Sequence, residues 1–134
     1  MSKTLAVDTN ILVYLHDTDN SPKRSIAVSI LFQKPKIPSQ VILEYLNVTR
    51  KLLPLTKENL LVQAIRLFGR YELINVTMST LQLATELIRK YRFQLFDAII
   101  VAASLEGDCE VLYSEDMQHG LVVNGTLTIV NPFL

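Results

Sequence analysis

An almost unbroken apolar stretch, Ala98-Ile99-Ile100-Val101-Ala102-Ala103-Ser104-Leu105, follows Asp97 and stops at Glu106-Gly107. At 3.6 residues per turn a helix of this composition is apolar on every side, so it has to be buried among other elements. The buried helix is therefore expected over about 96–106, ended by Gly107. Neither it nor any other apolar run approaches the ~20 residues that cross a bilayer.

Short apolar segments read as strands: residues 4–7, 73–76, 111–114 and 127–130. Residues 36–38 make at most a minimal strand, because Pro38 lacks a ladder donor. Helices run between them. One starts near Thr9 or Asn10 and reaches about Leu15, and Ser21-Pro22 pairs a cap with a first-turn proline for a helix to about Phe32. Ser39 is read as the cap of a helix over about 40–52 that Pro54 ends. Thr56 caps another over about 57–70, with Leu60, Ala64, Leu67 and Phe68 on its apolar face. A further helix begins at Thr77 or Ser79 and reaches about Tyr91, and Asn124-Gly125 supplies a turn. Strands alternating with helices predict one α/β domain over residues 1–134, with a twisted, mostly parallel sheet of about five strands and helices on both faces.

A hydrophobic fraction of 49% against 19% charged residues excludes an intrinsically disordered chain. Thirteen basic and thirteen acidic residues cancel, so net charge advertises no nucleic-acid partner, although charges segregated on separate faces still allow one. Cys109 is alone, which leaves no disulfide framework and no cysteine zinc site. With no signal-peptide pattern at Met1-Ser2-Lys3-Thr4, a reduced, cytoplasmic setting is the expectation.

Four carboxylates stand where solubility does not account for them. Asp8 ends Leu5-Ala6-Val7, Glu44 lies inside Val41-Ile42-Leu43-Glu44-Tyr45-Leu46, Asp97 opens the buried helix, and Asp116 follows Val111-Leu112-Tyr113-Ser114-Glu115. Ligands of open α/β sheets bind beyond the carboxyl ends of the strands, where Asp8 and Asp116 both fall. On the 40–52 helix the core stripe is read as 41, 45, 48 and 52, which puts Glu44 roughly 70° from its centre, within reach of an enclosed cleft. Asp97 sits where helix N–H groups and the helix dipole favour an anion. Each acid also has a plainer reading. Asp97 serves as a cap, Asp8 with Thr9 and Asn10 as a turn or cap cluster, Glu44 as a boundary residue and Asp116 as a solvated loop acid. Gathered together, though, they repel, and a divalent cation is the simplest remedy.

The residues around these acids match a known family pattern. Asp8-Thr9-Asn10-Ile11-Leu12-Val13-Tyr14 resembles the D-T/S-N-x-L-x-Y opening of the PIN-domain ribonucleases, and Ser39-Gln40-Val41-Ile42-Leu43-Glu44 falls where that family carries its helical glutamate. Phe96-Asp97-Ala98-Ile99-Ile100-Val101-Ala102-Ala103 resembles its D-A-x-x-x-A-x-A helix, and Leu112-Tyr113-Ser114-Glu115-Asp116 its L-x-T-x-D strand end. The resemblance covers essentially the whole chain and is closest to the small VapC-type toxins. It implies a PIN-like fold with Asp8 and Asp116 emerging from adjacent central strands. It also implies Mg²⁺ or Mn²⁺ held by Asp8, Asp97, Glu44 and Asp116, the first two as direct ligands, with Asn10 and Ser114 as accessory polar residues. The activity implied is an endoribonuclease leaving a 3′-hydroxyl and a 5′-phosphate, acting as the toxin of a toxin–antitoxin pair. A homodimer and an antitoxin whose tail enters the acidic cleft are implied as well.

Two departures stand out. Ser114 replaces the family threonine, and Met117-Gln118-His119 follow Asp116 where an aromatic residue is usual, which leaves Glu115 as an alternative fourth acid. The competing reading within the fold is a catalytically silent domain for RNA binding or protein assembly. A receiver-like signalling domain fails, because no lysine follows Lys90. His16 and His119 read as ordinary, partly exposed histidines, and Asp17 and Asp19 belong to the polar connection 16–21. The basic pairs read as solvated helix faces, with Arg92 singled out as an RNA contact because it stands just before the Asp97 segment.

Overall fold

The computed structural model describes residues 3–19 and 21–134; Met1, Ser2 and the Asn20 of the polar connection lie outside them. Its strands are β1 (Leu5–Val7), β2 (Ile37–Pro38), β3 (Leu73–Ile74), β4 (Val111–Tyr113), β5 (Val122–Val123) and β6 (Leu127–Val130). All three residues of β1 are buried. Successive strand residues face opposite sides, so β1 is covered on both faces. It pairs in parallel with β4, β4 pairs in parallel with β6, and β5 closes the edge antiparallel to β6. The central sheet thus has four strands in the order β1-β4-β6-β5, mostly parallel as expected. β2 and β3 form a separate parallel pair, linked to β1 by a bridge between Ala6 and Lys36. The chain leaves β1 toward β2 on one side while β4 lies on the other, so a topological switch point opens beyond the ends of β1 and β4.

The helices are α1 (Thr9–Val13), α2 (Pro22–Phe32), α3 (Ser39–Leu52), α4 (Lys57–Phe68), α5 (Met78–Tyr91) and α6 (Leu95–Glu106), with a 3₁₀ turn over Tyr14–His16. Residues 98–104 of α6 are all buried, as its composition requires, and the Ser104 hydroxyl is satisfied by donating to the Ile100 carbonyl at 2.8 Å. Asn124 and Gly125 both take positive φ (49° and 73°) in the connection between the paired residues Val123 and Leu127, and the Thr126 N–H closes the turn on the Val123 carbonyl at 3.1 Å.

Two sequence expectations for α3 need correction. Ser39 is the first helical residue and not the cap; Pro38 enters in an extended conformation, and the Ser39 hydroxyl instead accepts the Val76 N–H at 3.0 Å. The buried stripe runs through Val41, Tyr45 and Thr49, while Leu52 is 58% exposed. A threonine can occupy that core position because its hydroxyl donates to the Tyr45 carbonyl one turn back, at 2.8 Å. The shift turns Val48 toward the cleft described below.

Thr56 caps α4 as expected, accepting the Asn59 N–H at 3.1 Å. Thr56→Ala should lower unfolding stability by about 1 kcal/mol in urea denaturation, with an unchanged m-value.

Candidate active site

β1 ends in an acid that is almost sealed from solvent: Asp8 is 5% exposed. The ladder positions it, because the Asp8 N–H bonds the Tyr113 carbonyl at 2.9 Å and so sets Asp8 beside Ser114. Asp8 also caps α1, its Oδ1 accepting the Thr9 N–H at 2.7 Å. Its Oδ2 accepts the buried Ser114 hydroxyl at 2.7 Å and the Asn10 side-chain amide at 3.5 Å. The turn-or-cap reading of Asp8 is therefore correct locally, and it coexists with a place in the cleft.

Asn10 works as a bracket. Its amide nitrogen reaches Asp116 Oδ2 at 3.1 Å, while its amide oxygen accepts the Glu115 N–H at 3.2 Å. Glu44 is held from below by Thr9, whose hydroxyl donates to Glu44 Oε2 at 2.8 Å. Thr9 is a site residue that sequence reading leaves inside a cap cluster; its place beside Asp8, at the head of the first acid motif, is the available signal. Asp97 lies in the first turn of α6, half-buried, with Gln94 at the cap position, so it is not the cap of its helix.

All four acids line one cleft of about 500 Å³, together with Thr9, Asn10, Val13, Tyr14, Asn47 and Val48. Glu115 does not. Its carboxylate points outward to Tyr14 and Lys23, accepting from each at 2.6 Å. Burial pushes the Glu115 carboxyl up, but those two hydrogen bonds prevail and hold it below its ordinary value. The fourth acid of the cleft is Asp116.

Crowding has an electrostatic signature. Burial drives the Asp8 carboxyl up to about 6, against the lowering effect of the Ser114 and Thr9 hydrogen bonds, with the Asp97 and Glu44 charges adding to the rise. Asp97 is raised in the same direction, first by burial and then by Glu44 and Asp116. Oxygen donors in mutual repulsion are the kind of set that a hard divalent cation neutralises. Even so, among the described residues no three acidic, histidine or cysteine side chains converge into a ready coordination shell. Hydroxyl and amide donors from Thr9, Asn10 and Ser114 already engage the carboxylate oxygens.

Removing one of those donors gives a direct check. Ser114→Ala should cost about 1–2 kcal/mol at neutral pH and push the Asp8 carboxyl higher still, because a buried carboxylate loses a 2.7 Å donor. Chemical denaturation and carbon-detected NMR titration of Asp8 would report the two effects.

On the far side of Asp97 and Asp116 a second groove of about 300 Å³ is lined by Arg92, Phe93, Gln94 and Gln118. Arg92 ends α5 in the left-handed conformation at φ 62°. The ion pairs among the described residues are Lys23–Glu115 and Lys36–Glu72, and neither involves Arg92. His16 bonds the Tyr45 hydroxyl and His119 accepts the Asn131 N–H; neither lines the acidic cleft.

Comparison with known proteins agrees with this architecture. No curated protein matches the chain. Among solved structures, a toxin–antitoxin complex from Klebsiella pneumoniae aligns over 96% of this chain and 98% of its own, with TM-score 0.73 and 21% identity. VapC20 of Mycobacterium tuberculosis, a sarcin-ricin loop cleaving toxin, aligns over 84% and 90% at TM-score 0.67 and 19% identity. VapBC2 of Rickettsia felis, bound to a DNA fragment from its promoter, aligns over 96% and 99% at TM-score 0.63 and 18% identity. The family model of the PIN domain matches residues 5–121, from the first strand through the loop beyond Asp116, and the chain belongs to that family.

Proposed function

We propose that residues 1–134 act as one metal-dependent endoribonuclease domain, the cytoplasmic toxin of a toxin–antitoxin pair. The observation that carries this reading is the convergence of Asp8, Glu44, Asp97 and Asp116 on one cleft at the switch point of the sheet. Asp8 and Asp97 are assigned as direct ligands of Mg²⁺ or Mn²⁺, with Glu44 and Asp116 binding directly or through water. Bound there, such an ion would neutralise the carboxylates, acidify a water molecule and offset charge developing on a phosphodiester.

The chain's own residues do the rest. Ser114 and the Thr9 N–H hold Asp8 in one orientation, Thr9 holds Glu44 at the cleft wall, and Asn10 keeps Asp116 turned toward Asp8. Arg92, facing the adjoining groove without an ion-pair partner among the described residues, is assigned to an RNA phosphate. An antitoxin partner is supported by the structural neighbours solved as toxin–antitoxin complexes. A homodimer belongs to the same reading. No described helix is long and apolar enough to cross a membrane.

The engagement of the cleft carboxylates by Thr9, Asn10 and Ser114 favours a second reading, a silent PIN domain used for RNA binding or assembly. Incubating the protein with 5′-labelled cellular RNA distinguishes the two. Cleavage that requires Mg²⁺ or Mn²⁺, stops with EDTA and leaves 5′-phosphate ends is the expected outcome. Fragments with 2′,3′-cyclic phosphate ends, or no metal-dependent cleavage, would overturn the ribonuclease mechanism.

A further inference from the structure

Beside the acidic cleft, and sharing Tyr14 with its wall, lies a second, tightly bonded cluster that the chemistry above does not use. Lys23 of α2 donates to Glu115 Oε2 at 2.6 Å and to the Tyr14 hydroxyl at 3.1 Å. Tyr14 in turn donates to Glu115 Oε1 at 2.6 Å, so both oxygens of one carboxylate are engaged. The Lys23 ammonium also lies 5.0 Å from the Tyr14 ring centroid and 5.5 Å from that of Phe133. The two rings meet edge to face at 5.0 Å. Asn131 adds a tie to the same loop, its side-chain amide donating to the Glu115 carbonyl at 3.4 Å. Segments far apart in sequence thus converge on Glu115, one residue before Asp116.

We infer that Lys23, Tyr14, Glu115 and Phe133 form a clasp that sets the position of Asp116 and thereby the affinity of the cleft for its cation. The argument is geometric. Asp116 is exposed and, among the described residues, rests on one side-chain hydrogen bond, from Asn10. Asn10 bonds the Glu115 N–H with its other end. The loop is therefore fixed from inside by Asn10 and from outside by the clasp, and loosening the outer fixing lets Asp116 drift from Asp8. Outer partners of this kind typically change metal affinity by about 10–100-fold. Lys23 and Glu115 are positioning residues on this view, since neither lines the cleft.

The inference rests on the metal-binding reading, and the test separates the two. Mn²⁺ binding to the purified full chain without RNA is measured by isothermal titration calorimetry, for wild type, Lys23→Met, Glu115→Gln, Asp116→Asn and the Lys23→Met/Asp116→Asn double variant. Near-ultraviolet circular dichroism verifies that each is folded. Both clasp variants should bind Mn²⁺ about tenfold more weakly, and Lys23→Met should change affinity less than about twofold once Asp116 is already Asn. Wild-type affinity in both clasp variants, or a full tenfold loss persisting in the Asp116→Asn background, overturns the clasp while leaving the metal site standing. No Mn²⁺ uptake by the wild type overturns both.

Discussion

Asp97→Asn is expected to reduce metal-dependent RNA cleavage by about a thousandfold while leaving the fold intact. The size follows from what the carboxylate would do: hold the cation and share in countering charge at the phosphodiester, a role whose loss commonly removes ~10²–10³ in rate. The fold survives because Asp97 does not cap α6, whose stability comes from the buried run 98–104. Asn is nearly isosteric and removes a charge that burial, Glu44 and Asp116 already disfavour. The variant should therefore melt at or slightly above the wild-type temperature. The decisive measurement is single-turnover cleavage of labelled RNA at saturating Mn²⁺, beside a thermal melt of the same preparation. Wild-type cleavage by a folded Asp97→Asn protein would assign the activity to another site or to a contaminant.

Why that residue is readable in the sequence, while others are not, comes down to the range of the interactions. Asp97 announces itself by preceding a run that must be buried, and Asp8 by ending a strand too apolar to face water. Both are local patterns. Glu44 requires a helix phase, and periodicity places Val41 and Tyr45 correctly but misassigns the last turns of the stripe. Thr49 replaces Val48 in the buried stripe because backbone bonding satisfies its hydroxyl, which a pattern of apolar positions does not show. β5 escapes prediction because two residues at an edge carry no alternation, and the tertiary pairing with β6 alone defines it. The choice between Asp116 and Glu115 depends on contacts with Lys23, 92 residues away in sequence, and with Tyr14, 101 away. No local pattern encodes those. Ser39 illustrates the remaining class of error, a residue with a familiar capping role drawn to a more distant donor, Val76.

Asp8→Asn should have a different and more diagnostic outcome: loss of cleavage together with a gain in stability. A carboxyl that titrates at about 6 in the fold and near 4 in the unfolded chain binds its proton more tightly when folded. Its favourable contribution is complete below pH ~4 and is lost as pH rises through about 6, so at pH 7.5 the ionised group works against folding. The gap between the folded and unfolded values limits this penalty to about 3 kcal/mol. Asn keeps the cap on the Thr9 N–H and a partner for Ser114, so about 2 kcal/mol of stabilisation is expected at pH 7.5 without metal, or roughly 5–10 °C in Tm. That advantage should shrink steadily on acidification and vanish near pH 4, since the wild-type residue is then neutral as well. Saturating Mn²⁺ should reverse the order. An ion bound by the folded wild type at about a hundred times its Kd adds about 2.7 kcal/mol, and a variant that lacks the ligand does not share the gain. Melting curves of both proteins across pH 4–8, with Mn²⁺ and with EDTA, resolve each part. An Asp8→Asn protein less stable than wild type at pH 7.5 in EDTA would mean that Asp8 is a satisfied structural cap, and that the strain attributed to the cleft is absent.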